Sequence, residues 1–179
     1  KMSRVLPILF NMEMVRSILD GRKSCTRRII KPQPQGYFEV SEEPLYIYDT
    51  DGKQGKITPP YQPGDILYVR ETWKQAPNGY YYYEDWQRSD IADITKWKPS
   101  IHMPKEAARI WLKVTDVRAE RLQEITAESA LLEGTDKYIH LNGKFDKNAI
   151  LTSFMGIWNS TIKKSDFDRY GWDTNPYVW

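Results

Sequence analysis

Apolar residues along this chain change their spacing repeatedly, and each change marks an element. Val5-Leu6-Pro7-Ile8-Leu9-Phe10 is a short, mostly apolar run that reads as a first strand. Pro7 offers no backbone N–H, so that strand belongs at a sheet edge or a bulge. Asn11 can cap a helix. Behind it, Met12, Val15, Ile18 and Leu19 recur at helical spacing. Gly21 supplies the left-handed stop.

From Pro32 to Pro63 turn residues dominate, with Pro34, Gly36, Asp51-Gly52, Gly55, Pro59-Pro60 and Pro63-Gly64. Tyr46-Ile47-Tyr48 and the residues after Asp51-Gly52 predict a hairpin. Residues 37–60 therefore read as an elaborated loop or hairpin inserted into a single domain spanning 1–179. Pro63-Gly64-Asp65 turns the chain into a strand, Ile66-Leu67-Tyr68-Val69-Arg70. Asn78-Gly79, followed by four tyrosines, predicts another hairpin.

Pro104 to Ala108 reads as a helical turn, and alternation over 109–117 predicts a long strand. Thr126 caps a short helix, Ala127 to Glu133, stopped at Gly134. Asn148 to Thr161 is a stronger helix, with Ile150, Leu151, Phe154, Ile157 and Trp158 on its apolar face. Pro176-Tyr177-Val178-Trp179 resembles the opening of a last strand. Short strands, frequent turns and a few modest helices predict an α+β fold, a small twisted barrel with helices at its rim. The absence of βαβ alternation argues against a doubly wound parallel sheet.

Composition narrows the function. The length, 179 residues, suits one domain. A single cysteine, Cys25, admits no internal disulfide and fits a reducing, cytoplasmic setting. No stretch approaches the roughly 18 apolar residues of a membrane span. The apolar run at 5–10 is too short for a signal peptide. His102 and His140 lie in unrelated contexts, and with one cysteine no zinc spacing arises, so neither metal nor other cofactor is expected. Asp51-Gly52-Lys53-Gln54-Gly55-Lys56 lacks the spacing of a phosphate-binding loop.

Charge is uneven. Residues 1–31 hold eight Lys or Arg against Glu13 and Asp20, a net +6, so the remainder carries −4 of the overall +2. A basic patch on a near-neutral chain suggests one anionic partner at one site. The bland alternative is a solvated helix end. Seven Trp and twelve Tyr suit both a core and stacking pockets for bases.

The densest chemistry lies in Asp20-Gly21-Arg22-Lys23-Ser24-Cys25-Thr26-Arg27-Arg28. A threonine hydroxyl is a weak nucleophile unless a neighbouring base takes its proton. Lys23 is that base only when neutral, which desolvation or the cations Arg22, Arg27 and Arg28 would favour. Charged, it instead anchors a phosphate or stabilises an oxyanion. Glu133 is placed at a helix C-terminus, where the dipole disfavours a carboxylate. Arg70 and Glu71, at a strand end, either line a pocket or pair on the surface.

These residues resemble the ASCH family, whose barrel is similar to that of the PUA RNA-binding domain and whose signature is G-x-K-x-x-E-x-R. Gly21, Lys23 and Arg28 match it, and Thr26 stands at the glutamate position. Threonine there resembles a bacterial branch of the family that removes acetyl from N4-acetylcytidine. Its lysine, threonine and glutamate triad falls on Lys23, Thr26 and Glu133. Residues 64–73, the run Trp97-Lys98-Pro99-Ser100-Ile101-His102-Met103-Pro104, and the ending around Trp172 and 175–179 look like longer ASCH proteins of phages and prophages.

The resemblance implies a reader of RNA or of a nucleotide base, with Arg22, Arg27, Arg28, Arg70, Glu71, Trp73, Trp97 and Ser100 as ligand-binding candidates. In that reading the arginines would contact phosphates. The resemblance implies, as an alternative, an amidohydrolase acting on a modified nucleoside through Lys23, Thr26 and Glu133, in which Arg70 or Arg28 would hold the base edge or the oxyanion and Trp73 and Trp97 would sandwich the ring. A third reading is a phage-derived interaction module whose loop at 37–60 contacts a protein partner.

Overall fold

A computed structural model describes residues 3–35, 38–42, 45–49, 55–86, 96–135 and 146–179. The fold is mixed α+β. The described strands form four small sheets, and among them no closed barrel is present. His140 and the Asp51–Gln54 part of the glycine-containing stretch lie outside the described residues, as does the turn of the hairpin expected after Asp51.

The chain divides into two compact units, each made of two segments: Lys1–Gly21 with Pro63–Thr115, and Arg22–Gln62 with Asp116–Trp179.

In the first unit, β1 (Val5–Leu9) lies parallel to β5 (Ile66–Arg70), which pairs antiparallel with β8 (Trp111–Lys113). The order β1-β5-β8 puts β1 and its Pro7 at the edge, where a missing N–H is tolerated. The β1–β5 pair is parallel, a feature the turn-rich pattern did not suggest. Between them comes α1 (Met12–Leu19), capped by the Asn11 side chain, which accepts from Met14 N at 2.9 Å. Gly21 ends it at φ +72°, a conformation that favours glycine.

The long strand expected over 109–117 is regular only over β8. Arg109 is drawn off into ion pairs, and Val114 closes the ladder with a bond to Asp65 O at 2.9 Å. Strands β6 (Trp73–Ala76) and β7 (Gly79–Tyr82) form the expected hairpin and lead into a single turn, α2 (Tyr83–Trp86). Trp73, Met103 and Ala107 are buried together against Tyr80, Tyr82 and Ala108.

The second unit holds β2 (Phe38–Glu42), β3 (Leu45–Asp49) and β4 (Lys56–Ile57), antiparallel throughout. It also holds β9 (Glu120–Arg121) and β10 (Tyr177–Val178), which pair with each other. Its helices are α3 (Ala127–Leu132), α4 (Lys147–Thr161) and α5 (Phe167–Tyr170). Thr126 caps α3 by accepting from Ser129 N at 3.1 Å, and Asp146 caps α4. Ile150, Phe154 and Trp158 turn the apolar face of α4 onto Leu122, Ile125, Ala130 and Val178. Strand alternation then splits the chain ends. Ile29 and Val178 face this cluster, while Ile30, Tyr177 and Trp179 join Ile47 and Ile57 on the other side.

Candidate functional site

The basic turn 22–28 is fastened at both ends within the second unit. The N–H groups of Ser24 and Cys25 both donate to Leu132 O, at 2.9 and 3.0 Å, so the turn caps the C-terminus of α3. At the other end Arg28 exchanges backbone bonds with Trp179, at 3.1 and 2.8 Å, and Ile30 N donates to Tyr177 O. The segment is therefore held between a helix end and a strand, and its side chains alternate about that axis.

Lys23 points inward, 2% exposed at its side chain. Its ammonium donates to Cys25 O at 2.7 Å, Glu133 Oε2 at 2.7 Å and Glu133 O at 3.2 Å. Those acceptors match the three N–H bonds of an ammonium. A cation at a helix C-terminus also meets the negative end of the helix dipole. Burial nevertheless pulls the Lys23 ammonium below its ordinary range; Glu133 opposes that fall and Arg28 adds to it.

Glu133 is itself shared. Its Oε1 accepts from Arg27 Nη1 at 3.1 Å. Arg27 donates through Nε to Glu120 Oε1 at 2.7 Å and through Nη2 to Ser129 Oγ at 2.8 Å. Its guanidinium lies 5.9 Å from the Phe154 ring centroid. Glu120 in turn accepts from Arg118 at 2.8 Å. Two carboxylates, that of Glu133 nearly buried and that of Glu120 half-buried, thus face two buried cations, Lys23 and Arg27.

Arg28 adds a third cation. Its Nη1 donates to Thr26 Oγ1 at 2.8 Å and to Arg27 O at 3.1 Å. Burial lowers its affinity for the proton, with Glu133 and Tyr61 opposing. Burial raises the Tyr61 phenol, with Arg28 opposing. The Thr26 oxygen therefore has a cationic donor, and its own proton is available for donation. Arg22, also half-buried, belongs to the same turn.

Lys23, Thr26, Glu133, Arg22, Arg27 and Arg28 thus all fall in the second unit, and Lys23 and Glu133 meet directly. Arg70, Glu71, Trp73, Trp97 and Ser100 fall in the first. There Glu71 is 3% exposed and gives both oxygens to Arg109, at 2.9 and 2.8 Å. Asp85 takes the remaining Arg109 nitrogen at 2.8 and 2.7 Å. Tyr82 lies beneath that guanidinium at 4.1 Å. Glu71 thus anchors a brace with Arg109.

Trp73 is 3% exposed, with the Tyr80 ring at 5.8 Å and the Lys98 amine at 4.9 Å from its ring. Trp97 packs edge-on against Tyr83 at 5.3 Å.

Glu120, Ser129 and Tyr61 escaped the sequence reading. Nothing local marks them, because they reach the basic turn across long stretches of chain. Among the described residues no group of three or more His, Cys, Asp or Glu is placed to hold a metal, and His102 is exposed. No described helix is long and apolar enough to cross a membrane. Comparison with protein-family models, with curated proteins and with solved structures gave no match.

Proposed function

We propose that this chain is an ASCH-type reader of RNA or of a nucleotide base, its strands arranged as a PUA-like barrel, with the turn 22–28 as the contact surface. The observation that carries the reading is a surplus of positive charge in a desolvated place. Lys23, Arg27 and Arg118 share Glu120 and Glu133, and Arg28 on the same turn adds a further cation. Cations gathered in one place and kept partly out of water favour an acceptor-rich, negatively charged visitor.

Thr26 and Arg28 would meet the base edge, and the exposed basic positions around them the phosphates. Fluorescence anisotropy with a labelled single-stranded RNA tests this. Binding should weaken as salt rises, and Arg28→Gln should weaken it at every salt concentration. Affinity that is unchanged by both salt and R28Q defeats the proposal.

One observation favours a second reading, hydrolysis of an acetylated cytosine amide. Lys23 Nζ lies 2.7 Å from Glu133 Oε2, and burial moves the lysine toward the neutral form a base requires. Thr26 Oγ would bond to the acetyl carbon while its proton goes to Lys23. Lys23 would hand that proton to Glu133 Oε2, which passes it to the departing cytosine amine as the C–N bond breaks, and water would then release acetate from the threonine ester and return a proton to Thr26. Incubation with N4-acetylcytidine and chromatography of the products decides between them. Cytidine formed by the wild type and not by Thr26→Ala supports hydrolysis; equal traces in both leave the reader alone standing.

A further inference from the structure

The first unit contains an arginine that its own chain leaves unbalanced. Arg4 pairs with Asp65, Arg16 with Glu84, and Arg109 with Glu71 and Asp85. Arg70 is the one described arginine of this unit with no carboxylate. Its Nε is buried without any hydrogen-bond partner. Its other nitrogens make only long bonds, Nη1 to Ile101 O at 3.2 Å and Nη2 to the Tyr68 hydroxyl at 3.3 Å. Such lengths lie at or beyond the long edge of ordinary N–H···O geometry. A charged acceptor would replace them with shorter, stronger bonds.

The surroundings suit an anion. Arg70 ends β5, and Ile101 lies in a tight turn, Ser100–His102, held by bonds from His102 N to Pro99 O and from Met103 N to Ser100 O. The run 97–105 brings Lys98, His102 and Lys105 and no carboxylate. Lys98 is tied to Trp73 by a pair of backbone bonds at 2.8 and 3.2 Å, so it stays beside the start of β6, three residues after Arg70. Ser100 contributes a half-buried hydroxyl. The nearest acid in sequence, Glu71, is consumed by Arg109. Trp73 Nε1 is a second buried donor without an acceptor, in the same short segment. Buried polar groups are nearly always paired, so the orphan Nε of Arg70 points to an absent acceptor.

We infer that the Arg70 corner, with Ser100 and Lys98, is a binding site for an oxyanion, the phosphate of a nucleotide or the carboxylate of a small metabolite. The guanidinium presents its Nη edge, and the partly exposed side chain can reach a ligand from solvent. This goes beyond the RNA reading, since it uses none of the residues of the turn 22–28.

Titration followed by 1H–15N spectra of the tryptophan indoles tests it, with Trp73 identified by a Trp73→Phe variant. The probes are sodium phosphate, sodium acetate, uridine 5′-monophosphate and uridine, at constant ionic strength. The expected result is a saturable shift of the Trp73 indole with at least one anion, none with uridine, and at least a tenfold weaker midpoint in Arg70→Gln. Tighter binding of the monophosphate than of acetate assigns the phosphate; the reverse assigns the carboxylate. No saturable shift with any anion overturns the inference. So does a shift that persists unchanged in R70Q. If R70Q fails to fold, Ser100→Ala with Lys98→Gln replaces it, and an unchanged midpoint there overturns the inference equally.

Discussion

Two ion networks, one in each unit, use the same residue types in opposite proportion. Around Arg109 a single guanidinium serves two carboxylates, Glu71 and Asp85. Around Glu133 and Glu120, three cations, Lys23, Arg27 and Arg118, share two carboxylates. In the first, every arm of the arginine fork has an acid against it and an aromatic face beneath it. The cluster is saturated, and its purpose is to join β5, α2 and the start of the 109–113 segment. The second gathers more cations than acids, and Arg28 lies on the same turn, donating to the Thr26 hydroxyl and to Arg27 O. Saturation marks a brace; an excess of cations marks a place that favours an anion.

The comparison breaks most visibly at Glu71. Glu71→Ala leaves Arg109 half-buried without its bidentate partner, which should cost about 3–5 kcal/mol. Thermal or urea unfolding reads that loss. RNA affinity of the fraction that remains folded should not change. A Glu71→Ala protein as stable as the wild type would mean that the network around Arg109 is no brace.

Arg27 is the corresponding test in the second unit, and its expected effect is somewhat smaller in stability but wider in consequence. It holds Glu133, Glu120 and Ser129 together, so Arg27→Ala leaves Glu133 to Lys23 alone and Glu120 to the exposed Arg118. A loss of about 3 kcal/mol is expected from removing one partner of a buried ion pair. Binding should fall with it, because Glu133 loses the contact that orients it toward Lys23. Intact RNA affinity in a destabilised Arg27→Ala protein would separate the network from the site.

Much of this contrast was legible in the sequence, and the part that was not has a physical cause. Caps and stops are local chemistry, so Asn11, Gly21, Thr126 and Gly134 announced the ends of α1 and α3. The hairpin 73–82 was equally local. The basic turn and the acidic helix end were each visible, but their meeting was legible only through family resemblance. Lys23 and Glu133 are 110 positions apart, a separation that no spacing rule spans. The same reason hid Glu120, Ser129 and the partners of Arg109. The 109–117 strand was overread because alternation reports which face is apolar, not how far a neighbour runs alongside. The parallel β1–β5 pair escaped notice because it needs a crossover, and the chain between these strands reads mainly as turns.

Arg28 sharpens the contrast without a large stability effect. Arg28→Gln keeps a donor for Thr26 and removes the positive charge. Stability should shift by less than about 1 kcal/mol, while RNA affinity falls by about tenfold, or roughly 1.4 kcal/mol. The slope of log affinity against log salt should flatten by about 0.7, the value for one phosphate contact on a single strand. Unfolding curves and anisotropy titrations on one preparation measure both. A variant that loses stability but not affinity would reassign Arg28 to the brace class.

The smallest expected effect is a pH dependence, and here the two networks should run in opposite directions. Burial lowers Lys23 below its ordinary 10.5. Between its folded pKa and 10.5 the unfolded chain binds more protons, so the stability contribution of Lys23 grows as pH rises through that window. Burial raises Glu71 above its ordinary 4.5, outweighing the two bonds from Arg109. Between 4.5 and its folded pKa the folded chain binds more protons, so the Glu71 contribution shrinks as pH rises. Unfolding free energies of the wild type minus those of Lys23→Met, measured from neutral pH to about 10, should therefore slope upward; the same difference taken with Glu71→Gln, measured upward from about pH 4.5, should slope downward. Equal slopes would mean that desolvation does not dominate in both places, and that the surplus around Arg28 leaves Lys23 unaffected.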